Sequence, residues 1–260
     1  HMATHIWSEL SSPALASLVA ESDGRLVAVA VVGATEQHGP HLPLGTDTQI
    51  GQGLVMQACK HLAQDTSVVL MPDIAVGASE EHSHFVGTIS LPPEAMAAHL
   101  SAYGEALARA GISRWVIVNA HGGNVGVIES VAISLRKRLG LVIAKAYYPK
   151  FHALPDGPDA SEIKYGLHGG QLETSIVSAL SPNSVDMDKA KHFEMAHPPF
   201  AGQAPVAWLA EDLNPEGVAG RASDASPQEG EALLKHYGKA LAEVIRATAS
   251  HPLPPKSSEV

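Results

Sequence analysis

A single cysteine in 260 residues rules out an intrachain disulfide framework and any thiolate metal cluster. Cys59 fits a reducing, cytoplasmic setting, and its expected role is packing as a small apolar side chain on a helix. Basic residues are also scarce: seventeen Lys and Arg stand against twenty-seven Asp and Glu, for a formal charge of −10. The one basic cluster, Arg136-Lys137-Arg138, falls where a helix C-terminus is expected, and cations there suit the helix dipole. A chain charged in this way is not expected to partner nucleic acid or an anionic membrane. No apolar run of membrane length and no secretory leader is visible. The leading His1-Met2 reads as an expression-vector remnant and is left out of the fold reasoning. Missing too are a serine nucleophile elbow, a Cys–His pair, a Walker loop and a Gly-x-Gly-x-x-Gly fingerprint.

What the chain has in excess is histidine, fifteen in all. Imidazole is the commonest metal ligand and the side chain that titrates nearest neutrality. Several of these histidines lie outside any regular helical or strand pattern, which directs attention to a metal or acid–base site.

Apolar runs alternate with helix-like stretches. Leu26–Val32, Val68–Met71, Trp115–Val118 and Leu141–Ala144 read as short buried strands. Helices are expected at about 47–63, from Pro93 to near Ala110, from after Asn124 to about Leu139, at Gln171–Leu180 and from Pro227 to about Thr248. Asp47 is a candidate N-cap for the first of these. This alternation predicts an α/β fold, a mostly parallel sheet covered by helices on both faces, as one domain over residues 1–250 with a frayed tail at 251–260. In such sheets ligands gather at the carboxyl ends of the strands. From Pro149 to about Gln228 prolines exclude long helices, and loops that wrap the site or join subunits are expected.

Three segments carry chemistry. Thr35-Glu-Gln-His-Gly-Pro-His-Leu-Pro-Leu-Gly-Thr-Asp47 packs Glu36, His38, His41 and Asp47 into a Gly/Pro-rich stretch directly after a buried strand. Asn119-Ala-His121-Gly-Gly-Asn124 leaves His121 projecting from the end of another. In Leu167-His168-Gly-Gly-Gln-Leu-Glu173-Thr-Ser175, a helix beginning at Gly169 or Gly170 holds Glu173 in its first turns. Two divalent cations about 3.5–4 Å apart need a bridging carboxylate with nitrogen and oxygen ligands on either side. Glu36, Asp47 and Glu173, with His38, His41, His121 and His168, supply that inventory. Such a pair can acidify a water held between its metals and polarise a carbonyl, while a nearby histidine moves the proton to the leaving nitrogen. The competing readings are plain ones: Asp47 as a helix cap, Glu173 as a carboxylate favouring the dipole, and His168 as a residue that merely orients its turn.

These residues resemble the creatininase (creatinine amidohydrolase) family. The resemblance rests on the Thr35–Pro43 motif with Asp47 eleven residues after Glu36, on His121-Gly-Gly-Asn124, and on His168-Gly-Gly-x-x-Glu173-Thr-Ser175. A fourth stretch, Ser79-Glu-Glu-His82-x-x-Phe85-x-Gly-Thr-Ile-Ser-Leu91, also looks like a loop of that family. The resemblance implies a three-layer α/β/α fold with a mostly parallel sheet, a homohexamer, and a dinuclear site holding zinc, with manganese or iron as alternatives. Carried over by position, Glu36 and His121 bind one metal, His38 the other, and Asp47 bridges. Glu173 lies close to the metals, and His168 is the proton carrier. His41 inherits no ligand role and is expected to hydrogen-bond behind the ligands. Ser79, His82, Gly122 and Tyr165 are the expected substrate contacts, and Glu80, Glu81, His84 and Phe85 are further candidates to line the pocket.

Two departures matter. Creatininase has a glutamate ligand two residues after the histidine matched by His121, and here that residue is Gly123. Either Glu173 supplies the missing ligand or the second metal is held more weakly. Creatininase also has a Trp-Asp pair over its substrate, and the nearest match here is Lys164-Tyr165, which argues against creatinine itself. The family also includes a formylamino-pyrimidine deformylase and a peptidase that trims the mycofactocin precursor. The expected activity is hydrolysis of a C–N bond in a small cyclic or formylated amide. The alternatives are trimming of a short modified peptide, or a non-catalytic metal-binding scaffold. Trp208 is expected at a subunit contact rather than as a lid, and His192, His197, His236 and His251 at the surface.

Overall fold

A computed structural model describes residues 4–255 except 63 and 65. His1, Met2 and the end of the tail at 256–260 therefore lie outside the described residues. In chain order the elements are β1 (Thr4–Ile6), α1 (Ser12–Glu21), β2 (Val27–Val32), α2 (Thr46–His61), β3 (Val68–Leu70), α3 (Pro93–Ala110), β4 (Arg114–Asn119), α4 (Val125–Leu139) and β5 (Val142–Tyr147). They continue with α5 (Ala160–Tyr165), α6 (Gln171–Leu180), β6 (His192–Phe193), β7 (Phe200–Ala201), β8 (Ala204–Pro205), α7 (Ala210–Leu213), β9 (Gly220–Arg221) and α8 (Pro227–Ser250).

The sheet has the order β1-β3-β2-β4-β5, and every neighbouring pair in it is parallel. The central strands explain its burial. In β2, Val27, Val29 and Val31 face one core, together with side chains of α2, α6 and α8. Ala28, Ala30 and Val32 face the other, with α3 and α4. A strand covered on both sides has no polar face to show, so its sequence is a continuous apolar run. The result is the expected three-layer α/β/α arrangement.

Several boundaries differ from the sequence reading. β1 and α1 were not expected: β1 is three half-exposed residues, and α1 has no fully buried side chain to announce it. β5 runs three residues past Ala144, because exposed Lys145 interrupts an apolar run that the backbone does not end. Asp47 is not the N-cap of α2; Gly45 is, and Asp47 sits inside the first turn with its side chain turned to the site. The proline-rich stretch holds more structure than loops alone, namely α5, α7, the β7–β8 hairpin and the antiparallel β6–β9 pair.

One close approach fixes the helices behind the site. A Cβ at Gly230 on α8 would lie 1.8 Å from the Ser175 carbonyl oxygen of α6. Beside it the Glu229 carboxylate accepts from Ser175 Oγ (2.8 Å) and Gln171 Nε2 (3.1 Å). α6, which carries Glu173, is therefore anchored to the longest helix. Among the described residues, no helix is long and apolar enough to cross a membrane.

Candidate metal centre

The chemical residues converge at the carboxyl end of the sheet. Glu36 and His38 follow β2, Ser79–His82 follow β3, and His121 follows β4. Asp47 comes from the first turn of α2 and Glu173 from the first turn of α6. Gly169 takes a left-handed φ of +62°, the backbone turn between His168 and the start of α6.

Three imidazoles are each pinned at one nitrogen by a backbone carbonyl. His38 Nδ1–H donates to Glu36 O at 3.1 Å, His121 Nε2–H to Ala78 O at 2.8 Å, and His168 Nε2–H to Gln37 O at 2.7 Å. A carbonyl can only accept, so each bond leaves the ring's other nitrogen facing inward. His38 Nε2 then meets Asp47 Oδ1 at 2.9 Å and Glu173 Oε2 at 3.4 Å. His121 Nδ1 meets Glu36 Oε1 and Asp47 Oδ2, both at 3.1 Å. His168 Nδ1 stands 3.9 Å from Glu36 Oε1. Asp47 thus turns one oxygen to each of two histidines.

The carboxylates are buried without enough donors. Both oxygens of Glu36, itself 0 % exposed, and Asp47 Oδ2 lack a hydrogen-bond partner among the described residues. Groups in that condition carry a large desolvation cost unless a cation neutralises them. Burial, with help from Asp47 and against the pull of His121, pushes Glu36 up to about 7. Burial opposes charge on His38 and His121 too, yet nearby carboxylates outweigh it and hold both rings well above their ordinary value. Asp47 is also opposed by burial, but His38 and His121 hold it well below the usual carboxylate range. Hard oxygen donors, imidazole lone pairs and orphaned buried charge together fit divalent metal ions.

The remaining expected residues fall into place unevenly. Ser79 is buried with Oγ 3.3 Å from His121 Nε2. His82 is buried and stacks on His168 at 4.0 Å. Gly122 lines a cleft of about 480 Å³ that opens beside Glu36, Asp47, His121, His168 and Glu173. Tyr165 does not line it: the cleft wall takes Ile163, Lys164, Gly166 and Leu167, while the Tyr165 ring is exposed beside the Lys164 amine. His41 hydrogen-bonds Gly169 O (2.9 Å) and Thr174 Oγ1 (3.1 Å), the supporting role expected of it. Trp208 lies edge-on to His82 at 6.3 Å within the same chain. His192, His197 and His251 are exposed, and His236 is half-buried against His152 O.

Gln37 was overlooked. Its Nε2 donates to His82 Nδ1 (2.8 Å) and Gly217 O (2.6 Å), while its Oε1 accepts from Gly39 N (2.8 Å). That leaves His82 neutral with its Nε2–H aimed at Glu36 Oε2 and Glu81 Oε1, 3.5 and 3.7 Å away. Burial lowers His82 to about 4, consistent with that neutral form. Its place between two ligand candidates was the available signal. Tyr147 was missed with the end of β5, and it also lines the cleft.

Comparison with known proteins agrees with this geometry. The Creatininase family, described as creatinine amidohydrolase, matches residues 8–245. The mycofactocin precursor peptide peptidase of Mycolicibacterium smegmatis is 32% identical over 228 residues, 83% of this chain and 82% of that protein. The creatinine amidohydrolase of Pseudomonas putida is 29% identical over 244 residues, 86% of this chain and 90% of that protein. A mutant creatininase solved in a Zn-Zn form superposes with a TM-score of 0.78 at 26% identity, covering 94% of this chain and 98% of that one. The chain belongs to the creatininase, or creatinine amidohydrolase, family of hydrolases.

Proposed function

We propose that this chain is a dinuclear, metal-dependent amide hydrolase that trims a short peptide. The observation that carries the dinuclear part is Asp47, whose two oxygens face two different inward-facing imidazoles. Glu36 and His121 would hold one ion, His38 and Glu173 the other, and Asp47 both. Zinc is the first candidate, with manganese and iron behind it. When bound, such a pair supplies an acidified water and polarises the amide carbonyl.

The protein's own contribution is order. The carbonyls of Glu36, Ala78 and Gln37 fix the tautomers of His38, His121 and His168 before any substrate arrives. Burial, reinforced by His38 and His82, holds His168 well below its ordinary value, so the ring is neutral and its inward Nδ1 keeps an open lone pair, the form in which it would accept the proton of the attacking water. From there the proton passes to the departing nitrogen. The fixed Nε2–H bond keeps the ring in line during both transfers.

The cleft supports the peptide reading. It runs from the carboxylates to a rim where Ile163, Leu167 and Phe200 are 41%, 37% and 43% exposed. An open, partly apolar rim suits a chain that continues beyond the scissile bond better than a closed ring. The peptidase relatives support the same reading. The second reading, hydrolysis of a small cyclic or formylated amide, draws its support from the creatinine amidohydrolase relative. A single hydrolase domain over residues 1–250, a homohexamer and a cytoplasmic location belong to the proposal as well.

A panel of peptides of two to eight residues beside cyclic and formylated amides, assayed with zinc or manganese, tests it. Turnover with kcat/KM rising with peptide length is expected. Turnover of the small amides alone would overturn the peptide assignment. No turnover by the metal-loaded protein would leave a metal-binding scaffold.

A further inference from the structure

We infer that Glu162 is a positioning residue for the metal centre: its carboxylate sets the turn that carries both the proton carrier His168 and the ligand Glu173. The inference rests on the dinuclear reading above and assigns a role to a residue outside the ligand set.

Glu162 belongs to the short helix α5, yet it is only 5 % exposed. Its Oε1 accepts from the backbone N–H of Gln171, the first residue of α6, at 2.9 Å, and from that of Arg221 in β9 at 3.0 Å. Charge-assisted bonds of this kind offset the cost of burying a carboxylate, and negative charge suits a helix N-terminus. The chain is shaped around that oxygen. A Cβ at Gly166, Gly170 or Gly220 would lie 2.4, 2.5 or 2.7 Å from it. The end of α5, the start of α6 and β9 therefore close on one carboxylate oxygen.

Two of those segments lead directly to the site. Two residues after Gln171 comes Glu173, whose Oε1 accepts from Gly169 N (2.9 Å) and whose Oε2 faces His38 Nε2 at 3.4 Å. Two residues before Arg221 comes Ala219, whose N donates to His168 O (2.9 Å) and whose O accepts from His168 N (3.3 Å). Glu162 is thus the common anchor of the His168–Glu173 turn. Asp159 steadies the anchor in turn: its Oδ1 accepts from Glu162 N (2.9 Å), and its Oδ2 pairs with Arg221 Nη2 (2.7 Å). Glu36 and His121 follow β2 and β4 and take their positions from the sheet. Loss of the anchor should therefore be felt by the His38–Glu173 ion and not by the Glu36–His121 ion.

The test is zinc titration of the chelator-treated full chain by calorimetry. Wild type, E162A, E162Q, G170A, E173Q and E162A/E173Q are compared, with the melting temperature of each metal-free protein as the control on folding. Wild type should bind two equivalents. In E162A one equivalent should stay tight while the other weakens by about 10–100-fold, the range for residues that orient ligands. E162Q keeps an oxygen for both N–H groups and should lose less, neutral bonds being about half as strong as charged ones. G170A keeps the carboxylate but presses a methyl against it, and should weaken the same equivalent; it decides the matter if E162A fails to fold. Because Glu162 acts through the turn that holds Glu173, E162A should add little to the loss seen in E173Q. Two tight equivalents in E162A and G170A would overturn the assignment. So would equal weakening of both equivalents, which is the mark of a brace for the fold alone, or losses that add in full in the double variant. A wild-type chain that binds fewer than two equivalents would instead overturn the dinuclear reading beneath it.

Discussion

Replacing Glu36 by glutamine should push the metal-free and metal-bound proteins in opposite directions. Glu36 is fully buried, both its oxygens lack hydrogen-bond partners among the described residues, and burial first of all pushes it up to about 7 from an ordinary 4.5. A carboxyl whose folded value is raised destabilises the fold as pH climbs through that interval, and above pH 7 the full cost, about 3 kcal/mol, is present. Glutamine of the same shape removes the charge but must find partners for its amide, which takes back about 1–2 kcal/mol. The metal-free E36Q chain should therefore gain about 1–2 kcal/mol at pH 8. In a chain of this size that raises Tm by roughly 2–8 °C. The gain should shrink as pH falls from 7 towards 4.5, where wild-type Glu36 becomes protonated in the folded state.

With zinc the order reverses. An ion present at a hundredfold its Kd stabilises by about 2.7 kcal/mol, so two sites raise wild-type Tm by roughly 10–20 °C. E36Q should lose at least half of that rise. Scanning calorimetry at pH 8 and pH 5, with chelator and with zinc, reads all four states. A metal-free E36Q chain less stable than wild type at pH 8, or one keeping the whole zinc-induced rise, would refute the reasoning.

Two further variants separate catalysis from structure. H168A should keep both metals and lose about 10²–10⁴-fold in kcat, the contribution of a positioned acid–base group; unchanged kcat would remove His168 from the proton path. G230A forces a methyl against the Ser175 carbonyl, 1.8 Å from its Cβ, and should cost about 1–3 kcal/mol by overpacking. Thermal melting checks this, and a wild-type Tm would mean that α6 and α8 yield more readily than their contact suggests.

Much of the architecture was legible because burial on both faces leaves a plain signature. β2 is a continuous apolar run and β4 has one, Trp115–Val118, at its middle, and α3 and α6 begin and end at their expected residues. What stayed hidden had no such signature. α5 is six residues behind two prolines, too short for a periodicity to register. Its register also decides which side chains reach the cleft, which is why Tyr165 points away while its neighbours Lys164 and Leu167 line the wall. In the site, Glu36, His38, Asp47, His121, His168 and Glu173 stood out as residue types that bind metals, and the structure brings all six together. Gln37 did not, because its importance comes from contacts 45 and 180 residues along the chain, to His82 and Gly217. Asp47 carried two readings in the sequence, a helix cap and a bridging ligand; the cap position falls to Gly45, and the Asp47 oxygens turn to His38 and His121.

The most direct test of the dinuclear centre is metal content per chain, by elemental mass spectrometry on protein purified without chelator, for wild type and D47N. D47N keeps the shape of the side chain and removes the charge that faces both His38 and His121. Two equivalents of zinc, manganese or iron in wild type and loss of both in D47N are the predicted result. One equivalent or none in wild type after reconstitution, or a D47N chain that keeps two, would contradict it.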